Sequence, residues 1–568
     1  MTFYTSPFPD IPIVNRSLFT HLLHKSSRDS KLVGGHPADS PVFVDSATGT
    51  VLIREKLRSL CLSLGYGLRH HGAKRGDTVL LFSPNALAYP VVLLGAIAAG
   101  VRCTLANNAY TSHELAHQYA DSRARRIFTT EDSLPVVRAM FEEIGVGADE
   151  ADARIIVLGK SLKWAGGPDA PRTSSLLHME DLLGIGSLEE EEKFDGERAH
   201  ETALLCYSSG TTGKPKGVET THQNLTSEID MLAAVWTHGT GNKHLGFLPM
   251  YHIYGAVIIL FLTQKLGHTS FIQQRFDPLR FCEDIQKYKI QIVMLVPPIA
   301  VFLSRHPLVE KFDLSSLKLL TSGAAPLGPE LTNQVTARLP SLNVNAAVIQ
   351  GFGMTELSPV THLLPVADAT RKAGSIGLLL PNLQSRIVDE DGRDAQPGEM
   401  WIKGPVVMKG YINNPTATVN TITKDGWLKT GDIAIRDDEG YFFIVDRVKE
   451  LIKYKGFQGK FCMEKYFHHL NLPYSLADVA VIGIEDAAEA TELPRAYVVP
   501  THPEKVKTDA QKAEFGAQIA EWMKSKVAKH KFLRGGVVTI DVIPKSAAGK
   551  ILRRQLRDLA KKEIRSRL

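Results

Sequence analysis

The chain contains few cysteines, and none of them forms a recognisable motif. The five residues, Cys61, Cys103, Cys206, Cys282 and Cys462, are scattered over 568 positions, and no two are spaced as Cys-x-x-Cys. A scattered, odd-numbered set favours a reducing compartment over a disulfide framework, and it argues against a structural zinc site. We therefore expect the thiols to be packing residues.

Long hydrophobic runs and a strong excess of one charge are also absent. The most apolar segment, Val91 to Val101, is followed by Arg102. It is shorter than the roughly 18 residues that a membrane span needs, so it predicts a buried helix. The net charge of +5 is spread over the chain without the basic stripe that is typical of nucleic-acid-binding proteins. We expect neither a membrane span nor a nucleic-acid partner.

The two common nucleotide-binding motifs are missing as well. A Walker loop requires Ser or Thr after Gly-Lys, but Gly213-Lys214 is followed by Pro215, and residue 208 is not the required first glycine. In the run Gly351-Phe352-Gly353-Met354-Thr355-Glu356, a glutamate replaces the third glycine of a dinucleotide fingerprint. Neither a P-loop nor a Rossmann nucleotide site is indicated.

The most informative stretch that is present runs from Tyr207 to Gly217 and reads YSSGTTGKPKG. The apolar segment Ala203 to Tyr207 predicts a buried strand leading into it. Glycines let the backbone fold closely around an anion, while hydroxyls, main-chain N–H groups and lysines supply donors and positive charge. The composition fits a polyphosphate loop, and taken alone it fits a solvated turn equally well.

Length and patterning predict a two-domain α/β protein. A chain of this size exceeds a single core. Strand-like runs such as Thr78–Phe82, Ile292–Val296 and Leu317–Leu320 alternate with helical patterns through the first 400 residues, which is typical of layered α/β architecture with largely parallel sheets. A charged turn at 446–450 between two strand-like segments resembles a hairpin or a hinge. We predict a large domain over 1–446, a hinge over 447–450 and a small α+β domain over 451–568.

Five separated segments occur in one order and together carry a family resemblance. They are YSSGTTGKPKG at 207–217, PMYHIYG at 249–255, GFGMTE at 351–356, GWLKTGD at 426–432 and PKSAAGK at 544–550. In this combination the chain resembles the adenylate-forming superfamily, and is most similar to 4-coumarate:CoA ligase and luciferase-like acyl-CoA ligases. The resemblance implies a large layered α/β N-terminal domain and a small mobile α+β C-terminal domain. It also implies that a carboxylic acid is activated by ATP as acyl-AMP and then transferred to the thiol of CoA.

The resemblance implies roles for residues around the nucleotide. The leaving pyrophosphate and the β- and γ-phosphates would be held by Ser208, Ser209, Gly210, Thr211, Thr212 and Lys216. Thr355 would contact the α-phosphate, and Glu356 would bind Mg²⁺, a hard cation that prefers carboxylate oxygen. The adenine would be enclosed by Gly323, Ala324, Ala325, Phe352 and Gly353. Asp432 and Arg447 would bind the ribose, whose vicinal hydroxyls suit the two acceptor oxygens of a carboxylate.

Further roles are implied for the acid pocket and the small domain. His252 would lie between the ATP and acid sites, and the acid pocket would be lined by Ile253, Tyr254, Gly351, Pro359 and Val360. An apolar lining with one tyrosine suits an aryl or a medium-chain acid without deciding between them. Lys550 would approach the reacting groups, Lys449 would occupy the hinge, and Lys453, Gly456 and Gln458 would face the active site or the thiol tunnel in a rotated domain.

Two features of the C-terminal part leave alternatives open. Residues 459–476 depart from the family pattern, which puts the CoA-side surface in question. An adenylate-forming or luciferase-like enzyme that does not use CoA, and a non-catalytic ATP-binding protein, are the alternatives. The final Ser566-Arg567-Leu568 is a variant of a peroxisomal address, so we expect an import receptor as a partner and a peroxisomal location, with the cytoplasm as the alternative.

Overall fold

A computed structural model describes residues 2–26, 29–208, 215–325, 327–447, 452–454, 457–459, 476–486, 491–524, 532–545 and 551–565. Strands and helices are numbered below in chain order. The fold is α/β, as the sequence predicts, with large layered sheets preceding a small α+β unit.

The first large sheet has eight strands in the order β10-β9-β8-β6-β7-β11-β12-β22. They are β6 (Thr78–Phe82), β7 (Arg102–Ala106), β8 (Ala124–Thr130), β9 (Ile155–Leu158), β10 (Leu177–His178), β11 (Thr202–Ser208), β12 (Lys216–Thr221) and β22 (Gly410–Tyr411). Pairing is parallel from β10 to β11 and antiparallel from β11 to β22. Every residue of β6 is buried, as expected for a parallel strand covered on both faces.

The second large sheet has nine strands in the order β19-β18-β17-β16-β15-β13-β14-β4-β5. They are β4 (Pro41–Asp45), β5 (Val51–Ile53), β13 (Lys243–Gly246), β14 (Thr269–Ile272), β15 (Ile292–Leu295), β16 (Leu319–Ser322), β17 (Ala347–Gly353), β18 (Val360–Leu363) and β19 (Leu378–Leu379). The central strands are parallel, and antiparallel strands close both edges. The carboxyl ends of β15, β16 and β17 therefore meet at one edge, where open parallel sheets bind their ligands.

Helices cover these sheets, and local sequence explains where several of them begin. They are α1 (Leu18–Leu23), α2 (Arg54–His70), α3 (Ala88–Ala98), α4 (Ser112–Asp121), α5 (Leu134–Glu143), α6 (Ala148–Arg154), α7 (Met179–Leu183), α8 (His222–Val235), α9 (Ile253–Gly255), α10 (Thr263–Lys265), α11 (Pro278–Tyr288), α12 (Pro297–Arg305), α13 (Pro329–Arg338) and α14 (Pro415–Thr421). A π-helical segment, Ala256–Leu262, joins α9 to α10. The side chain of Thr111 accepts a hydrogen bond from Glu114 N–H and completes a capping box at α4.

The predicted buried helix is α3, and all of its residues are buried. It begins three residues before the predicted start and ends at Ala98. In the described part of the chain, none of the helices is long and apolar enough to cross a membrane. Four of the cysteines, Cys61, Cys103, Cys206 and Cys282, are buried and free, in line with a packing role. Burial raises the pKa of Cys206 and Cys282 to about 12.

A third sheet is antiparallel and has the order β1-β20-β21-β23-β24. Its strands are β1 (Tyr4–Thr5), β20 (Gln384–Val388), β21 (Gly398–Lys403), β23 (Leu428–Arg436) and β24 (Phe442–Arg447), and a separate hairpin is formed by β2 (Leu32–Val33) and β3 (His36–Pro37). Asp432 of β23 lies opposite Arg447 of β24. The sheet brings together strands from both ends of the large domain.

The C-terminal part forms a small α+β unit, as the sequence predicts. Its elements are β25 (Ile452–Tyr454), β26 (Phe457–Gly459), β27 (Leu476–Asp486), β28 (Thr491–Pro500), α15 (Asp509–Lys524), β29 (Val537–Thr539) and α16 (Arg553–Arg565). Residues 479 and 481 pack on the α15 side of the sheet, and residues 480 and 482 pack on the α16 side, which is the period-two alternation of a strand. β24 pairs with β23, and β25 pairs with β26, and among the described residues no ladder joins β24 to β25. The hinge and the domain limits stay predictions, since residues 448–450 lie outside the described residues.

Candidate active site

The glycine-rich run connects two paired strands of the first sheet. Residues 209–214, which include the predicted Ser209, Gly210, Thr211 and Thr212, lie outside the described residues, but both ends of the hairpin are described. Ser208 of β11 lies opposite Lys216 of β12. Ser208 Oγ is buried and has no hydrogen-bond partner in the described part of the chain. Lys216 Nζ lies 4.1 Å from the centre of the Tyr411 ring, so the cation rests on an aromatic face.

Helix α4 is connected to both ends of this hairpin. Tyr207 Oη donates a hydrogen bond to Asp121 Oδ2 at 2.7 Å, and His117 Nε2 donates to the main-chain oxygen of Pro215 at 2.9 Å. Asn413 Nδ2 donates to the main-chain oxygen of Asp121 at 2.7 Å. Burial and the neighbouring Asp121 carboxylate raise the pKa of Tyr207, which keeps the phenol protonated as a donor. The strand before the loop and the segment after it are therefore fixed to one helix.

Glu356 occupies a short 3₁₀ turn, Thr355–Leu357, that is separated from the end of β17 by Met354 alone. Its side chain is buried, and Oε1 accepts a hydrogen bond from Tyr411 Oη at 2.8 Å. Burial and the Glu356 carboxylate raise the pKa of Tyr411, so the phenol remains a donor. Tyr411 thus contacts Glu356 through its hydroxyl and Lys216 through its ring. Mg²⁺ commonly binds one or two carboxylates together with phosphate oxygens, and a buried glutamate beside a polyphosphate-type hairpin fits that donor set.

The residues predicted to bind adenosine come from three elements. Gly323, Ala324 and Ala325 follow β16, and Ala324 has a φ of 65°, a left-handed conformation that is uncommon for a residue with a side chain. Phe352, on β17, meets the His362 ring edge to face at 6.0 Å. Asp432 is buried, and its main-chain N–H donates to Thr430 Oγ1 at 3.1 Å.

A pocket lies at the carboxyl edge of the second sheet. It brings together ten of the predicted residues: His252, Ile253, Tyr254, Gly323, Ala324, Gly351, Phe352, Gly353, Pro359 and Val360. Further residues that sequence reasoning missed line the same pocket: Leu232, Trp236, Ile258, Met294, Thr321, Ser322, Met354 and Leu363. The lining is largely apolar, and a few polar groups converge on it, as is typical of small-molecule sites.

Contacts inside the pocket define the state of two predicted residues. His252 Nδ1 accepts a hydrogen bond from Tyr254 N–H at 3.2 Å, which places the proton of a neutral imidazole on Nε2. Tyr254 is buried, its hydroxyl donates to the Thr321 main-chain oxygen at 3.4 Å, and burial raises the pKa of the phenol. A Cβ at Gly323 would lie 2.8 Å from Tyr254 Cζ, so the tyrosine ring requires glycine there.

The structure does not describe every predicted site residue. Lys449, Gly456 and Lys550 lie outside the described residues, as does Ser566-Arg567-Leu568. Lys453 and Gln458 are paired in register on β25 and β26. The side chain of Arg447 also lies outside the described part of the site, so its predicted ribose role stays a prediction.

Some of the missed residues carried a sequence signal. Leu232 lies four residues before Trp236, a spacing that predicts one helix face, and Trp236 directly follows the end of α8. Thr321 and Ser322 end the strand that leads into Gly323, and residues at the carboxyl ends of parallel strands are candidates for any α/β site. Met294 and Ile258 carried none, because each is one apolar residue within a longer apolar run.

The arrangement defines a class of protein: an α/β enzyme with an apolar small-molecule pocket that abuts a polyphosphate-type hairpin and a buried carboxylate.

Comparisons with known proteins agree with this class. The profile of the AMP-binding enzyme family matches residues 31–412. A probable 4-coumarate–CoA ligase 1 from Dictyostelium discoideum is 34% identical over 564 residues, covering 98% of each chain. 4-Coumarate–CoA ligase 1 from Petroselinum crispum is 35% identical over 569 residues, covering 98% of this chain and 96% of the relative.

Solved structures share the fold over nearly the whole chain. ATP-bound MatB from Rhodopseudomonas palustris has a TM-score of 0.80 at 25% identity, covering 96% of this chain and 99% of that protein. The chain belongs to the AMP-binding enzyme family. Within that family it is an acid–thiol ligase of the AMP-forming type.

Proposed function

We propose that the protein is an ATP- and Mg²⁺-dependent acid:CoA ligase that acts on an aryl or medium-chain carboxylic acid. The acid is first activated as acyl-AMP with release of pyrophosphate, and the thiol of CoA then displaces AMP. The observation that carries the proposal is the continuous chain at the end of β17: Gly353 and Met354 line the pocket, and Thr355 and Glu356 follow them directly. An acid in this pocket is therefore delivered beside the groups that suit a nucleotide phosphate and its metal.

The residues around the hairpin supply charge neutralisation for the first step. A carboxylate must approach the more highly charged polyphosphate, so positive charge and hydrogen-bond donors near the phosphates lower the barrier. Lys216 provides a cation, and Tyr411 fixes the Glu356 carboxylate that would bind Mg²⁺. The metal, when bound, neutralises phosphate charge. His252 lines the pocket near the same edge.

The apolar pocket supports an aryl or medium-chain acid. Its lining includes Phe352, Met354 and Trp236 together with the Tyr254 ring. Aromatic and apolar walls favour an acid with a flat ring or an alkyl chain over a short or highly charged one. The relatives named 4-coumarate–CoA ligases add support for the aryl alternative.

The test is an acid-panel assay with ATP and Mg²⁺, performed with and without CoA. We expect acid-dependent release of pyrophosphate, formation of AMP and, with CoA, formation of a thioester for an aryl or medium-chain acid. Formation of ADP, or no acid-dependent pyrophosphate release across the panel, would contradict the proposal. EDTA should abolish the acid-dependent release of pyrophosphate, and added Mg²⁺ should restore it.

The same assay distinguishes the alternatives. An enzyme that does not use CoA would release pyrophosphate and accumulate acyl-AMP without thioester in the presence of CoA. A binding protein would retain ATP without pyrophosphate exchange. The departure from the family pattern at 459–476 motivates these controls, and residues 460–475 lie outside the described residues.

A further inference from the structure

A second cavity lies at the amino edge of the first large sheet, where its parallel strands begin. It is situated between the ends of α2 and α6, and its volume is about 390 Å³. That space is far larger than the roughly 10–15 Å³ that one water molecule needs. It shares no lining residue with the acid pocket. We call it the amino-edge cavity, and its polar lining side chains are those of His71, Asp77, Thr78, Arg125, Arg126 and Arg154.

Strand register separates the amino-edge cavity from the hairpin of the active site. Thr78 of β6 is level with Arg102 of β7, and the next residue, Cys103, is level with Leu204 of β11. Ser208, inside the glycine-rich run, is four residues farther along β11, or roughly 13 Å at the rise of a strand. The cavity and the hairpin therefore lie toward opposite ends of the same strands.

Thr78 brings an unused hydroxyl to this cavity. The residue is 1% exposed, and its Oγ1 has no hydrogen-bond partner in the described part of the chain. Leu80 and Phe82 of the same strand pack on the side of the sheet that α4, α5 and α6 cover, so the period-two alternation directs Thr78 to that side as well. Helix α6 contributes Arg154 to the cavity from the same side. A buried hydroxyl without a partner is costly, and a ligand can supply the partner.

A neighbouring donor does not satisfy this hydroxyl completely. Arg102, level with Thr78, has a buried Nε that also lacks a partner among the described residues. A hydrogen bond from that Nε would occupy one lone pair of Oγ1, and the hydroxyl hydrogen would still need an acceptor. The nearby Asp77 carboxylate is engaged with Arg125 Nε at 2.9 Å and with the main-chain N–H of Lys74 at 2.9 Å. The group that completes the site must therefore bring an acceptor.

Arg126 adds a positive charge that forms no ion pair with any carboxylate of the described residues. Its Nη1 donates to the Ala153 main-chain oxygen at 3.0 Å and its Nη2 to the His71 main-chain oxygen at 2.5 Å, which fastens the ends of α6 and α2 to the sheet. A guanidinium has five N–H donors, so three remain after these two bonds. Burial lowers the pKa of Arg126, which reflects the cost of a partly buried cation that lacks a counter-ion.

The charges around the cavity are unequal. Its lining contains three arginines and one carboxylate, Asp77. Asp77 pairs with Arg125, and Arg154 pairs with Glu150, which lies outside the lining. The charge of Arg126 is left over. A guanidinium matches the paired oxygens of carboxylates and phosphates, so the complementary ligand is an oxyanion.

We propose that the amino-edge cavity binds a small oxyanion, a phosphate ester or a carboxylate, at a site separate from the catalytic pocket. Arg126 provides the charge and the remaining N–H donors, and Thr78 Oγ1 donates to one oxygen of the anion. The ligand thereby supplies both groups that the cavity lacks, an acceptor for the hydroxyl and a negative charge for the guanidinium.

Calorimetric titration of the full chain with inorganic phosphate, and in a second arm with acetate, tests the proposal without ATP. The wild type should show saturable binding of at least one of these anions, and the arm that binds more tightly identifies the ligand as a phosphate ester or a carboxylate. Thr78→Val should weaken that binding about 10-fold, because the donor is lost while the shape is nearly kept. Arg126→Gln should weaken it further, and Thr78→Val keeps the test independent of the helix contacts that Arg126 also makes.

Thermal unfolding distinguishes a ligand-binding hydroxyl from a structural one. Without anion, the melting temperature of Thr78→Val should not fall, because the substitution removes a buried hydroxyl that has no partner. With the anion present, the wild type should gain more in melting temperature than Thr78→Val does. A lower melting temperature without anion, combined with unchanged anion binding, would overturn the inference.

Two further variants are controls. Arg123→Gln removes an exposed charge two residues before Arg125 and outside the lining, so anion affinity should stay within about 2-fold. Equal weakening in Arg123→Gln would indicate diffuse surface charge and overturn the inference. Loss of binding in Lys216→Ala but not in Thr78→Val would assign the anion to the hairpin and overturn it too, as would no saturable binding of either anion. The titration needs no catalysis, so its result is independent of the proposed ligase activity.

Discussion

One missing side chain at residue 323 makes room for the Tyr254 ring in the pocket that we propose for the acid. Gly323 follows β16 directly, and an added Cβ would lie 2.8–3.2 Å from two ring carbons and the hydroxyl oxygen of Tyr254. Tyr254 is buried on its other sides, so the ring has little room to retreat. Overpacking of this kind typically costs about 1–3 kcal/mol.

We predict that Gly323→Ala raises the KM for the acid about 10-fold or more, a larger factor than for ATP, whose adenine Gly323 is also predicted to enclose. The added methyl displaces Tyr254 into the pocket, whereas Lys216, Tyr411 and Glu356 keep their contacts. Steady-state pyrophosphate exchange, with each substrate varied in turn, measures both constants. Gly328→Ala is the control, since a Cβ there meets nothing within 4 Å. Unchanged acid kinetics in Gly323→Ala would show that the ring does not limit the pocket.

A second single-residue feature is Glu228, a fully buried carboxyl on α8. Its Oε1 accepts a hydrogen bond from the main-chain N–H of Val360 at 2.8 Å, and Val360 lines the pocket. Burial raises the pKa of Glu228 well above its ordinary value of 4.5, so the neutral acid is favoured in the folded protein.

The raised pKa gives a pH-dependent prediction. The contribution of this group to stability is complete below its unfolded pKa of about 4.5 and is lost as the pH rises toward its folded pKa. Glu228→Gln keeps the acceptor for Val360 but cannot ionise. We therefore expect Glu228→Gln to become more stable relative to the wild type as the pH rises above about 4.5. The measured quantity is the difference between the two melting temperatures, variant minus wild type, and it should increase with pH. Thermal unfolding across pH measures it, and a difference independent of pH would contradict the assignment of a buried neutral acid.

At the scale of elements, α4 positions the hairpin that carries the glycine-rich run. Tyr207 precedes the run and donates to Asp121, while Pro215 follows the run and accepts from His117. The His117 and Tyr207 rings also meet edge to face at 6.2 Å. Because both ends of the loop depend on one helix, a change in α4 contacts should act on phosphate binding more than on acid binding.

We predict that Tyr207→Phe raises the KM for ATP several-fold or more and leaves the KM for the acid nearly unchanged. The substitution keeps the ring against His117 and removes a hydrogen bond to a carboxylate, an interaction worth about 1.5–3 kcal/mol. Tyr288→Phe is the matched control, because Tyr288 Oη donates to the Ser46 main-chain oxygen at 2.8 Å away from the hairpin. An equal rise in both constants would indicate a general loss of folding instead of a positioning role.

Element prediction from sequence was good where the pattern was uniformly apolar and weaker where strands end in polar residues. The run Thr78–Phe82 is strand β6 without change, whereas the strand predicted over Leu317–Leu320 is β16, Leu319–Ser322. Thr321 and Ser322 lack apolar side chains, so the pattern ended the strand before the residues that line the pocket. Strand β12, which completes the hairpin, was not predicted either, because Lys216–Thr221 is mostly polar and is buried by its neighbours.

At the scale of the whole molecule, the two half-reactions are predicted to depend on different parts of the chain. Lys550 lies outside the described residues, near the end of the chain, whereas Lys216 and Tyr411 belong to the first large sheet and Glu356 to the turn after β17. We expect Lys550→Ala to lower acyl-AMP formation by about 10²- to 10³-fold, consistent with about 3–4 kcal/mol for one transition-state contact. Thioester formation from supplied acyl-AMP should be largely retained.

Single-turnover assays of each half-reaction test this prediction. Lys545→Ala is the control in the same unit: Lys545 Nζ lies 2.6 Å from Asp478 Oδ2, and a partly exposed ion pair of this kind contributes little to activity or stability. Equal loss of both half-reactions in Lys550→Ala would contradict a role confined to adenylation.

The sequence by itself determined the family, the α/β class and the residue types of the glycine-rich run that is predicted to bind the nucleotide phosphates. These follow from local chemistry: glycines, hydroxyls and lysines in one run, apolar strand patterns, and motifs in a fixed order. The tertiary structure alone decided which distant residues meet. Tyr411 joins Lys216 to Glu356 across 195 and 55 positions, and Glu228 reaches Val360 across 132.

The pocket also contains some residues that the sequence predicts and others that only the tertiary structure reveals. Ile253, Tyr254 and Val360 were predicted from motifs, but Trp236 and Ser322 became pocket residues only because α8 and β16 pack against the same space. No local pattern in the sequence marks either residue as part of a pocket, since that depends on everything that surrounds it in the fold. The chemistry of the site is therefore encoded in short segments, whereas its selectivity depends on contacts that exist only in the folded protein.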